Sequence, residues 1–258
     1  MRIFVIGSGR MANALAPALL RSGHTITGVY SRNSKSGTSL ARYLGCDFRI
    51  TLEIPKNTDM ILLTVNDDAT PIVAKSLRSS KSIIVHTSGT VDMSALGRKN
   101  KGGVFYPLDT MNGKRNINFQ HIPICVEATE EKTLATLLAM ANTISSEVYV
   151  MDSRTRMAVH AAAVFTNNFT NHLLGMAADI TNQVGVTFNI LKKLAHTTTK
   201  NAFAGNPVDV QTGPAKRGDQ KTIKKHLDFL AKNPEAVKLY ATLTKSIAAV
   251  HKNKPGKG

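Results

Sequence analysis

The sequence predicts an α/β fold, an N-terminal Rossmann-type parallel sheet followed by a smaller all-helical domain. Three observations carry that expectation. Short apolar runs alternate with helical segments as far as Met151. A glycine-rich turn follows the first apolar run without a spacer, and beyond Met151 no strand pattern returns. Apolar runs separated by helices are the signature of parallel strands covered on both faces.

Taken in order, residues 3–6, 26–30, 60–65, 82–86, 103–106, 124–127 and 148–151 read as strands. Amphipathic patterns over 11–22 and 132–143 read as helices between them, with Ser88-Gly89 and Lys101-Gly102-Gly103 as loop punctuation. From Asp152 onward every periodic segment is helical. The first spans 154–184, opened by Asp152 or Ser153 as N-cap and closed by Gly185. Further helices are expected over 188–204, 218–231 and 234–251, before a basic Pro/Gly-containing tail that is expected to fray. The division into domains is placed at 1–152 and 153–258.

Composition narrows the function classes. With 42% hydrophobic and 19% charged residues the chain is that of an ordinary globular protein. The longest charge-free stretch, 157–178, is broken by histidines, asparagines and threonines, so a membrane span is not expected. The start MRIFVIGSG lacks a secretory pattern, and Cys46 and Cys125 fall in expected core elements, with neither a disulfide framework nor a metal cluster. A cytoplasmic protein is the expectation. The net charge of +16 is concentrated at the two ends: residues 211–258 carry eleven Lys/Arg against three Asp/Glu, and residues 1–50 seven against one. Such a field attracts phosphorylated cofactors, acidic metabolites or nucleic acid, although it also serves solubility alone. No nucleic-acid module accompanies it, so nucleic acid is not the expected partner.

The turn Gly7-Ser8-Gly9-Arg10-Met11-Ala12 is a G-x-G-x-x-A motif in its required setting, strand before and helix after. Gly7 permits the tight turn, Gly9 lets backbone approach a pyrophosphate, and Ala12 lets helix and strand touch. Backbone N–H groups at the helix start then face the phosphates. The alternative is a vestigial α/β scaffold. An NAD site places a carboxylate at the end of the second strand, whereas this chain has Ser31-Arg32-Asn33-Ser34-Lys35. A hydroxyl and a guanidinium suit a 2′-phosphate, so NADP(H) is preferred over NAD(H), unless Arg32 and Lys35 are only solvated charges. Polar clusters at three more strand ends, Asn66-Asp67-Asp68, His86-Thr87-Ser88-Gly89 and Tyr106-Pro107-Leu108-Asp109, form the rim of a cleft. Asn66, Asp67, Ser88 and Gly89 are candidates to line the cofactor. Asp68 is also a candidate helix cap, and His86 is either catalytic or a hydrogen-bonded buried histidine.

On the 154–184 helix, at 100° per residue, Met157, Ala161, Phe165, Phe169, Leu173, Met176 and Ile180 share one side. His160, Val164, Asn167 and Asn171 lie nearly opposite, a polar stripe without charges. Such a stripe is either a buried hydrogen-bonded seam or the lining of a site, with His160 as proton donor and Asn167 or Asn171 orienting a carbonyl. Asn168 and His172 are second choices. Gln211-Thr212-Gly213-Pro214-Ala215-Lys216-Arg217-Gly218-Asp219 adds a turn, a helix start and Arg217, a clamp for a carboxylate, with Asp219 orienting it or capping the helix.

GSGRMA, HTSGT, FYPLDT, HAAAVFTNNFTNH and QTGPAKRGD occur in that order along nearly the whole chain. Together they resemble a family of bacterial Rossmann-like proteins with a C-terminal helical domain of unknown function. That family is similar to the deazaflavin-dependent NADP oxidoreductases, the pyrroline-5-carboxylate reductases and the β-hydroxyacid dehydrogenases. The resemblance implies an NADPH-binding N-terminal domain and a C-terminal helical domain of the 6-phosphogluconate dehydrogenase kind, often a homodimer interface. Some relatives are thought to reduce ketopantoate. The β-hydroxyacid dehydrogenases carry a catalytic lysine on the first helix of the second domain, and this chain has no lysine between Lys132 and Lys192. His160 lies on the corresponding helix. The expectation is therefore an NADPH-dependent reductase of a small 2-oxo or imino acid, with His160, Asn167, Asn171 and Arg217 at the chemistry. The alternative is a non-catalytic NADP(H)-binding sensor.

Overall fold

Aliphatic runs with no polar interruption end up as strands that are buried on both faces. The computed structural model describes residues 1–77, 81–97 and 101–252. It forms an eight-stranded sheet in the order β3-β2-β1-β4-β5-β6-β7-β8. The strands are β1 (Arg2–Ile6), β2 (Thr25–Tyr30), β3 (Phe48–Arg49), β4 (Met60–Leu63), β5 (Ile83–His86), β6 (Gly102–Pro107), β7 (Ile124–Ala128) and β8 (Val148–Val150). Every pairing is parallel except β6 with β7. That antiparallel pair departs from the all-parallel expectation. A 16-residue link from Leu108 to Pro123 crosses without a helix, so the chain returns along the neighbouring strand in the opposite sense.

Helices α1 (Arg10–Arg21), α2 (Ser34–Leu44), α3 (Thr70–Ser76) and α4 (Glu131–Asn142) cover the faces. The core holds Ile3, Val5, Leu15, Leu19, Met60, Leu62, Val85 and Phe105 on one side, and Phe4, Ile6, Ile61, Leu63 and Ile84 on the other. Helix α2 is polar along most of its length and escaped the periodicity reading. It is started by Asn33, whose side chain accepts from Ser36 N at 3.0 Å, and stopped by Gly45 at φ 66°. Asp68 is not a cap, because it lies inside a short 3₁₀ turn, Asp67–Ala69, that runs into α3. Gly102, read as loop punctuation, belongs to β6 together with Gly103, where the strand was expected to begin. Cys125 is buried in β7, whereas Cys46 is half-buried in the bend after α2.

After β8 the chain is helical. Asp152 is the N-cap of α5 (Ser153–Ala163), accepting from Thr155 N at 2.7 Å. A π-helical segment, Val164–Phe169, then leads into α6 (Thr170–Gln183), and Gly185 follows at φ 72°. The length and ends of the long helix agree with the sequence reading, and the π segment is what that reading did not contain. A π segment closes i→i+5 bonds and turns less per residue than an α-helix.

The chain divides into two compact units, Met1–Phe165 and Thr166 onward, with the boundary inside the π segment. The second unit contains α6, α7 (Lys192–Ala204), α8 (Pro214–Arg217), α9 (Gln220–Phe229) and α10 (Pro234–Lys252). The expected helix over 218–231 is α9, with its ends drawn in: Gly218 at φ 70° ends the short α8 before it, and Asp219 caps α9 by accepting from Thr222 N at 3.0 Å. The expected fraying of the tail falls on residues 253–258, outside the described residues.

Close approach of α4 to the sheet depends on Gly103. A Cβ there would lie 2.5 Å from Leu137 Cδ1 and 2.6 Å from Glu127 O. In urea unfolding, Gly103→Ala is expected to lose about 1–3 kcal/mol of stability. Gly9→Ala, whose Cβ meets nothing within 4 Å, is expected to stay within roughly 0.5 kcal/mol of the parent.

Candidate active site

The carboxyl edge of the parallel strands, next to the point where strand order reverses between β1 and β4, is where such sheets bind ligands. A cleft of about 550 Å³ opens there, lined by the glycine turn, the end of β2 and the end of β4. Gly7 sits at φ 115°, and a Cβ on it would come within 2.6 Å of Thr64 O. Its N–H donates to Tyr30 O at 2.8 Å, so the turn is fixed to both neighbouring strands. Gly9 is the opposite case, since a Cβ there would project into open space. That bare backbone, beside the first turn of α1, is a cradle that fits a diphosphate.

Buried Ser8 holds the far side of the cleft in shape. Its Oγ lies 2.7 Å from Ser31 Oγ and 2.7 Å from Ser36 Oγ, tying the glycine turn to the start of α2. Asn13 donates to Ser8 O and Gly9 O at 2.9 and 3.0 Å, while Arg115 Nε donates to Asn13 Oδ1 at 2.8 Å. Arg32 is exposed on the cleft wall with Asn33 beside it, and no carboxylate stands between Tyr30 and Asp47. The residues present therefore fit a nicotinamide dinucleotide.

Of the residues anticipated from sequence, Gly7, Ser8, Gly9, Ser31, Arg32 and Asn66 line this cleft together. The others lie elsewhere. Arg10 is exposed near Gly113, and half-buried Met11 packs on the core. Asp67 accepts a hydrogen bond from Thr90 Oγ1, linking the ends of β4 and β5. Ser88 Oγ accepts from Thr90 N and Val91 N, both at 3.0 Å, and folds the loop after β5. His86 is fully buried, its Nδ1 accepting from Ser88 N at 3.2 Å. That is the hydrogen-bonded core reading rather than a catalytic one.

Gly89 carries the second feature. A Cβ there would lie 2.6 Å from His160 Nδ1 and 2.8 Å from Tyr106 Cζ. His160, half-buried on α5, has Nδ1 2.9 Å from Tyr106 Oη at the end of β6. Below this pair, Arg156 is 1% exposed, the largest fully buried side chain among the described residues. Its guanidinium pairs with Glu127 on β7 and donates to Val91 O and to Ser153 Oγ. Ser153 in turn donates to Glu127 through its N–H at 3.0 Å and its hydroxyl, and its Oγ accepts from Met93 N at 2.9 Å. One polar knot thus joins β7, the loop after β5 and the first turn of α5, one helical turn before His160. Sequence reasoning missed Arg156, Glu127, Asn13 and Arg115. Arg156 had a signal, being four residues before His160 and so on the same helix face.

Asn167, Asn171 and Arg217 belong to the second unit, and all three are exposed. Asn171 is on α6 and Arg217 is the last residue of α8. Within QTGPAKRGD, Lys216 donates to Gln211 O at 2.6 Å.

Residues 2–89 match the family model described as NADP oxidoreductase, coenzyme F420-dependent, and residues 122–247 match a domain of unknown function, DUF2520. Among solved structures, a candidate NADP oxidoreductase from Bacteroides fragilis is 35% identical, with a TM-score of 0.87 over 96% of this chain and 98% of that one. Two more distant structures share the fold. An imine reductase from Myxococcus stipitatus in complex with NADP+ is 18% identical, with a TM-score of 0.69 over 98% and 93% of the two chains. A 1-pyrroline-5-carboxylate reductase from Streptococcus pyogenes is 14% identical, with a TM-score of 0.66 over 98% of each. No curated protein matches the sequence. Among the described residues, no helix is long and apolar enough to cross a membrane.

Two outcomes follow from the buried polar groups. Removing one partner of the Arg156–Glu127 pair strands the other charge, so Arg156→Ala is expected to cost about 3–5 kcal/mol in urea unfolding. Burial, assisted by the Arg156 cation, pushes the His86 imidazole down from 6.5 to about 4. The unfolded chain therefore takes up this proton first, and stability falls as pH drops from 6.5 towards 4. His86→Gln is expected to lack roughly 3 kcal/mol of that acid-side loss when denaturation is measured at pH 7 and pH 4.

Proposed function

This chain belongs to the family of NADP-dependent oxidoreductases that join an F420-dependent-type NADP oxidoreductase domain to a DUF2520 domain, and on that premise we propose that it is an NADPH-dependent reductase of a small 2-oxo or imino acid. The observation that carries the reading is the His160–Tyr106 pair bedded on Gly89, on the same sheet edge as the glycine cleft. Gly7, Ser8 and Gly9 would hold the diphosphate, with Ser31 and Arg32 on the 2′-phosphate, which favours NADPH over NADH. When bound, that cofactor supplies the hydride. The chain's own task is to place the substrate and to put a proton on the oxygen or nitrogen of the reduced bond.

His160 is the group assigned to that proton, since imidazole is the side chain whose charge changes closest to neutral pH. Asn167 and Asn171 are assigned to the carbonyl and Arg217 to the substrate carboxylate, within a helical domain counted from residue 153. A ketopantoate-like acid and a cyclic imino acid are the two substrates to compare. In the second unit Phe169, Ile190, Leu194 and Phe203 are exposed, the last by 82%. Apolar side chains in that number support a homodimer through the C-terminal helices.

The test is NADPH depletion with ketopantoate and pyrroline-5-carboxylate side by side. One of them is expected to be turned over, with His160→Ala lowering kcat by about 10²–10⁴-fold and leaving NADPH affinity unchanged. Turnover of neither, with NADPH still bound, would replace the reductase by a sensor. In sedimentation velocity the protein is expected to run as a dimer, and Phe203→Glu to shift it towards monomer.

A further inference from the structure

Two rings and one glycine meet above the end of β5. The Tyr106 and His160 ring centroids are 6.0 Å apart at 61°, edge to face. Tyr106 Oη is 2.9 Å from His160 Nδ1, and the Gly89 backbone closes the same side of the imidazole so tightly that even a methyl group there would overlap Nδ1. Among the described residues, no hydrogen bond engages His160 Nε2.

We propose that Tyr106 is a positioning residue that keeps Nδ1 of His160 turned into the protein, so that Nε2 is the nitrogen that delivers the proton. The inference rests on the assignment of His160 as the acid. A hydroxyl suits this place because it both donates and accepts. Against a neutral ring, Tyr106 donates to Nδ1 and the ring proton sits on Nε2. Against a charged ring, Nδ1–H donates to Oη. The contact survives both states with only a turn of the hydroxyl hydrogen.

The proton balance follows. The Nε2–H bond of the charged ring breaks as an O–H or N–H bond forms on the substrate. The ring leaves the transfer as its neutral Nδ1–H form, still donating to Oη. Solvent returns a proton to Nε2, and the charged ring reaches its resting neutral form by losing the Nδ1 proton to solvent as the Tyr106 hydroxyl turns to donate. Burial pushes the Tyr106 phenol up to about 12, so the hydroxyl stays neutral throughout and does not itself give up the proton. A carboxylate in its place would hold the ring as a lasting cation and oppose the transfer. Packing alone does not call for the hydroxyl. The ring body fills a small cluster with Val104 and Cys125 that phenylalanine would fill equally well.

The test uses the full chain labelled with ¹⁵N-histidine, with the His160 ring assigned by its loss in His160→Ala. Long-range ¹H–¹⁵N spectra of the neutral ring are expected to show a proton on Nε2 and a hydrogen-bonded acceptor at Nδ1. Tyr106→Phe is expected to move Nδ1 towards the free-acceptor position and to mix the tautomers. Gly89→Ala, which leaves the hydroxyl in place but crowds the ring, is expected to do the same. Ring signals unmoved in both variants would overturn the inference. In turnover, Tyr106→Phe is expected to lower kcat roughly tenfold to a hundredfold with KM for NADPH unchanged. Full turnover by His160→Ala would instead remove the underlying assignment, whatever the spectra of Tyr106→Phe show.

Discussion

The first strand and the fourth end so close together that the chain between them has room for backbone and nothing else. Gly7 answers that constraint twice, with a φ that other residues avoid and with no Cβ to strike Thr64 O 2.6 Å away. Because the turn is this tight, α1 starts at Arg10, directly after the turn that leaves β1, beside the point where strand order reverses. The serine web then follows from proximity. Ser8, one residue on, is brought within 2.7 Å of both Ser31 and Ser36, and α2 is pinned at the height where Arg32 borders the cleft. Asn13 and Arg115 stiffen the same turn from behind.

A second constraint acts at the other side of the sheet edge. Arg156 is buried where a hydrophobic side chain would have been less costly, and it is kept there by Glu127, Val91 O and Ser153. The return is geometric rather than energetic. The knot fixes where α5 begins relative to the loop that carries Gly89, and so the imidazole one turn later meets Tyr106 and Gly89 together. Polar residues at strand ends thus divide between two tasks. Asp67, Ser88 and His86 fold the loops upon one another, and the space left over receives the ligand.

Much of this was legible in the chain. Strands built from unbroken aliphatic runs declare themselves, and the glycine motif is read by what each glycine must avoid. Gly7 and Gly9 behave as the motif requires, one crowded and one open. Helix α2 was hidden because it buries only Gly37, Leu40, Ala41 and Leu44 among serines and charges. β3 was hidden because two residues are too few to show a period. The π segment was hidden because apolar periodicity alone does not tell i→i+5 winding from i→i+4 winding over six residues. Arg156 and Glu127 sit 29 residues apart and are joined only by the antiparallel turn of β7, a long-range pairing that no local pattern encodes.

The account stands on the cleft beside Gly9 taking a diphosphate whose ribose phosphate meets Ser31 and Arg32. Calorimetric titration of the unmodified protein with NADPH and with NADH tests this most directly. The account predicts heat with both and at least about tenfold tighter binding of NADPH, the discrimination expected of about 1.4 kcal/mol from one charge-assisted contact. Equal binding of the two, tighter binding of NADH, or no heat with either would contradict it.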